Sequence, residues 1–85
     1  MSEYKLEVKK TTYEVEGYEE PCWEVSNGYT MVRISKMYRL AGKPSILLTE
    51  FLDGEWNDSE EWNADFDGLD SFFAERMAKQ YSVYL

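Results

Sequence analysis

Between Pro44 and Glu75 the chain carries ten carboxylates and neither lysine nor arginine, and this stretch limits what the rest can be. The acids are Glu50, Asp53, Glu55, Asp58, Glu60, Glu61, Asp65, Asp67, Asp70 and Glu75. Residues 1–43 hold seven acids and seven bases, which cancel, while Arg76 and Lys79 return two charges. The net charge of −8 therefore originates in this one segment. Like charge in a run normally marks a solvated or disordered tract. Here Phe51, Trp56, Trp62, Phe66, Phe72 and Phe73 are threaded among the acids, and disordered acidic tracts are poor in rings. The expectation is an ordered, strongly anionic surface.

At 85 residues the chain has room for one domain. Its aromatic content of 16% suits a small core, because each ring buries much area. No apolar run reaches the length of a membrane span, and Met1-Ser2-Glu3-Tyr4-Lys5 lacks the layout of a signal peptide. A single cysteine, Cys22, fits a reducing compartment, so a cytoplasmic location is expected. The absence of histidine removes the commonest general base and metal ligand together. Excess negative charge repels nucleic acid and anionic membranes, so the natural partners are basic proteins.

Residues 4–8 alternate, with Tyr4, Leu6 and Val8 on one side, and Tyr13 and Val15 resume on the opposite parity. This predicts one strand bent or bulged near Lys9-Lys10-Thr11. Gly17 to Pro21 reads as a loop, Cys22 to Ser26 as a short strand, and Asn27-Gly28 as a type I′ hairpin turn. A long strand follows over Tyr29–Leu40, turned at Ala41-Gly42-Lys43-Pro44. Ser45–Leu52 reads as a central strand buried on both sides, Asp53-Gly54 as a turn and Glu55-Trp56-Asn57 as a last short strand. Residues 58–68 read as an acidic loop, 69–81 as a helix and 82–85 as a tail. Leu69, Phe72, Phe73, Met77 and Tyr81 share the predicted apolar helix face, with Asp67 as N-cap. The fold class is α+β: an antiparallel sheet of four or five strands with one C-terminal helix packed on it.

An ordered face with so many carboxylates offers a basic groove what a nucleic acid offers it, since duplex DNA carries one charge per roughly 1.7 Å. The partner-binding residues this reading selects are Glu50, Asp53, Glu55, Trp56, Asp58, Glu60, Glu61, Trp62, Asp65, Asp67 and Asp70. The bland reading is a solvated face that keeps a small domain soluble. One of Trp56 and Trp62 is expected in the core, the other as an interface anchor. Asn63, Asp65, Asp67, Gly68 and Leu69 match the start of a calcium loop in order. Ala74 stands where the bidentate glutamate belongs, so Asn63, Asp65 and Asp67 form only a weak candidate and no metal is expected. Cys22 has no histidine to activate it, and the chain is not read as an enzyme; no cofactor is expected.

In length, charge and the carboxylate-rich segment 44–75, the chain resembles the small acidic inhibitors that bacteriophages and mobile elements make against host defence, anti-CRISPR proteins and other nucleic-acid mimics among them. The resemblance implies inhibition of a basic nucleic-acid-handling protein by occupying its nucleic-acid site. An immunity protein or antitoxin neutralising a basic toxin shares the same physics, and a calcium-responsive module or a small structural subunit are the remaining readings.

Overall fold

A computed structural model describes residues 5–37 and 42–85. The expectations placed on Tyr4, on Tyr38–Leu40 and on Ala41 lie outside the described residues. Five strands follow one another, β1 (Glu7–Val15), β2 (Tyr18–Ser26), β3 (Thr30–Met37), β4 (Ser45–Leu52) and β5 (Glu55–Trp62). They pair antiparallel in chain order, β1-β2-β3-β4-β5, so β1 and β5 are the two edges. A single 3₁₀ turn, Phe66–Gly68, leads into helix α1 (Ser71–Tyr81), which crosses β1, β2 and β3 on one face. The α+β expectation of a sheet with one C-terminal helix is met.

The core lies between that face and the helix. Register places Val8, Val25 and Val32 in one row and Trp23 beside Ile34, with Ile46 and Leu48 next on β4. All but half-buried Val8 are buried, and Phe66, Ala74 and Ala78 close over them. The helix meets the sheet through Ala74, Ala78, Met77 and Tyr81 instead of the expected phenylalanines. Phe72 is 65% exposed and Phe73 48%. Alanine lets the helix backbone sit close to the strands, and two rings at that height would hold it off.

The strands and turns need four corrections. β1 runs without a bulge: its partners on β2 advance one for one from Ser26 to Tyr18. The apolar parity changes because the covering changes. Leu6 and Val8 pack on the helix-side core, whereas Tyr13 stacks under the Arg33 guanidinium on the other face, 4.5 Å from its ring centre. The expected loop 17–21 is instead the first half of β2, and the turn is Glu16-Gly17, both at positive φ (49° and 85°). Pro21 is tolerated because the hairpin directs its missing N–H away from β1, and pairing with β3 begins only at Cys22. The turn centres on Gly28-Tyr29 and not on Asn27-Gly28: the Asn27 amide donates to the Thr30 carbonyl at 3.1 Å, and of the two central residues only Gly28 takes positive φ, the sign pattern of type II′ and not I′. The Asn27 side chain accepts hydrogen bonds from the Tyr29 and Thr30 amides at 3.0 and 2.8 Å, which fixes the bend.

The last correction concerns the acidic segment. The expected short strand and loop are one strand, β5, reaching Trp62. Its residues are exposed from Glu55 to Glu60, so no apolar alternation announces it, and pairing with β4 alone holds it. After it, Asp65 caps the 3₁₀ turn by accepting from the Asp67 amide, and Asp70, not Asp67, caps α1 by accepting from the Phe73 amide at 2.9 Å.

Candidate interface at the acidic edge strand

β5 holds one residue more than β4 can pair. Glu50 faces Asp58 and Phe51 faces Trp56, leaving Asn57 as the extra residue of a β-bulge. The bulge has a consequence for charge. In an unbroken strand Glu55 and Asp58 would fall on opposite faces; the inserted residue restores the parity and puts Glu55, Asp58 and Glu60 on the same face. All three are exposed. At about 3.3 Å of rise per residue they recur every two ladder steps, roughly 7 Å. That is close to the axial advance of two phosphates along one nucleic-acid strand, at about 3.4 Å each.

The bulge is anchored from beneath. Asn57 Nδ2 donates to Glu50 Oε1 at 2.7 Å, and the Ser82 hydroxyl donates to Glu50 Oε2. Glu50 is only 6% exposed, and these two donors meet its two oxygens. Ser82 also accepts from the Tyr84 amide, and the Tyr84 carbonyl accepts from Asn27, so the tail is tied to the β2–β3 turn. Beside this, the Tyr81 hydroxyl donates to Asp58 at 2.7 Å, and the Tyr81 ring stands edge-on to Trp62. Burial pushes the Tyr81 phenol well above its ordinary value; the bond to Asp58 and the charges of Asp58, Glu50 and Glu60 add to it.

The remaining residues selected from the sequence divide by what they touch. Asp53 and Glu55 flank Gly54 in the β4–β5 turn, both exposed. Trp56 is 63% exposed on the face away from the helix, and Trp62 packs against the core, so one of the two is a core residue as expected. Glu61 lies on the opposite face from Glu60, across from Leu47. Glu50 is a buried anchor, not a contact residue. Asp65 and Asp70 are helix caps, and Asp67 is paired with Lys36 at 2.9 Å, which removes it from an uncompensated surface. Glu75 pairs with Lys79 at 3.4 Å on α1. The ten carboxylates are thus not one face; Glu55, Asp58 and Glu60, with Asp53 at the turn, are the part of the set that the fold brings into line.

With Asp65 turned to its own backbone and Asp67 on a lysine, the suggested calcium ligands do not converge, and no cluster of acids suited to a metal occurs among the described residues. Cys22 is fully buried in β2; burial pushes its thiol up, and Glu24 adds to the effect. Sequence reasoning missed Asn57, Tyr81 and Ser82. A bulge and a tail contact depend on pairing across the fold and leave no local signal.

No protein-family model matches the chain, and neither any curated protein nor any solved structure does.

Proposed function

We propose that the protein is a small binding protein that inhibits a basic nucleic-acid-handling protein, of the kind countered by anti-CRISPR and other anti-defence inhibitors, by presenting β5 where phosphates would lie. The observation that carries this is the regular row Glu55, Asp58, Glu60 on an exposed edge strand, put in phase by the Asn57 bulge. Glu50 and Asn57 position the row; Glu55, Asp58 and Glu60 make the contact, with Trp56 as a ring available on the other side of the strand. The mechanism is competition. Charge attraction steers the encounter, and it weakens as salt rises.

The test is affinity capture from a host lysate by the full chain, at low and at high salt, alongside Glu55→Lys/Glu60→Lys. The expected result is a basic nucleic-acid-binding protein retained by the native chain, released by salt or by added DNA, and lost from the variant. Retention that survives molar salt, or that the variant shares, overturns the reading. A captured protein that is a basic toxin enzyme turns the same surface to the antitoxin reading.

A further inference from the structure

β1 is the other edge of the sheet, nine residues long and without a bulge or proline. In a two-residue hairpin the residues flanking the turn exchange both backbone hydrogen bonds, so Val15 and Tyr18 do so here. Alternation then sets the rest: odd residues of β1 bond to β2, while Val8, Lys10, Thr12 and Glu14 turn their N–H and C=O groups outward. An edge of this length is a template for another strand.

Its charges are arranged unevenly. Lys9 and Lys10 stand before Thr12 and Glu14 and Glu16 after it. Within the chain Glu14 faces Glu19 directly, a like-charge pair on neighbouring strands, and neither makes an ion pair among the described residues. Lys10 faces Trp23; its ammonium rests 5.9 Å from the Trp23 and Phe66 ring centres, with no carboxylate in ion-pair distance among the described residues.

We propose that β1 pairs antiparallel with β1 of a second copy about a two-fold axis at Thr12, placing each Lys10 opposite the other copy's Glu14 and joining two sheets into one of ten strands. In this register the outward-turned residues meet each other: Thr12 faces Thr12, and Lys10 faces Glu14 twice. Both side chains have the parity of the helix-side face, so the opposite charges meet on the same face of the joined sheet. Centring the axis one pair earlier, at Lys10, would set lysine against lysine. The β5 edge, whose charged residues are all acidic, cannot repeat the contact, so assembly stops at two. The inference is independent of the function proposed for β5.

The test uses the full chain in sedimentation equilibrium with amide hydrogen exchange. The native chain is expected to be a dimer in which the Lys10, Thr12 and Glu14 amides are protected. Thr12→Pro removes an outward N–H and leaves the bonds to β2, so a folded monomer is expected. Lys10→Glu and Glu14→Lys should each weaken the dimer about tenfold or more, because two cross-strand pairs become repulsive. Mixing those two variants restores opposite charges at both contacts and should restore the dimer. A native chain that stays monomeric at its highest soluble concentration overturns the proposal. So does a dimer that Thr12→Pro leaves intact, or a mixture that fails to associate.

Discussion

The two edges of this sheet solve the same problem differently. β5 carries Glu55, Asp58, Glu60 and Glu61 and a bulge at Asn57, so an approaching strand meets charge of one sign and a broken ladder. β1 is unbroken, and among its outward-turned residues Lys10 lies on one side of Thr12 and Glu14 on the other. A uniformly acidic edge repels its own copy and attracts a basic surface; a strand of opposed halves attracts its own reverse. What an edge excludes is therefore as informative as what it admits.

The sharpest break in that contrast is at Glu50. Glu50→Ala leaves the Asn57 amide and the Ser82 hydroxyl without their acceptor, and a loss of about 2–4 kcal/mol is expected from urea unfolding. The same variant should loosen β5 selectively, with faster amide exchange there than in β1. Asp70→Ala removes the α1 cap and should cost about 1 kcal/mol, although Asp70 belongs to the same acidic segment as Glu60. By contrast, Glu55→Gln/Glu60→Gln should leave stability within about 0.5 kcal/mol, since neither holds the fold, while abolishing salt-sensitive capture. At Tyr81 a loss similar to that of the helix cap is expected. Tyr81→Phe keeps the ring against Trp62 and loses the bond to Asp58, about 0.5–1.5 kcal/mol. Its phenol is raised in the fold, so its neutral form contributes to stability fully below about pH 10 and loses that contribution as pH climbs above. A tyrosinate titration followed by ultraviolet absorbance should show a step above the ordinary phenol range, and Tyr81→Phe should remove it.

Much of the fold was legible. Alternation in Val32 and Ile34, the continuous apolar run in Ser45–Leu52, the Asp53-Gly54 turn and the helical spacing near Met77 and Tyr81 are enough for the sheet and its helix, although β4 is buried on the helix side and only half-buried on the other. Glu16-Gly17 was passed over because Pro21 reads as a loop residue until one knows that β3 does not reach it. Residues 58–62 were read as loop because an edge strand exposed on both faces has no burial pattern to betray it. Helical spacing puts Phe72 and Phe73 toward the core, where close approach selects Ala74 and Ala78.

The sequence by itself determined an α+β fold and a net negative charge concentrated in the second half of the chain, since turn chemistry, periodicity and composition act over a few residues. Only the tertiary structure decided which acids are spent on caps, on Lys36 or beneath the bulge, and which stand in a row on β5. A carboxylate's role depends on what lies opposite it, and register across strands, together with where the helix lands, sets that.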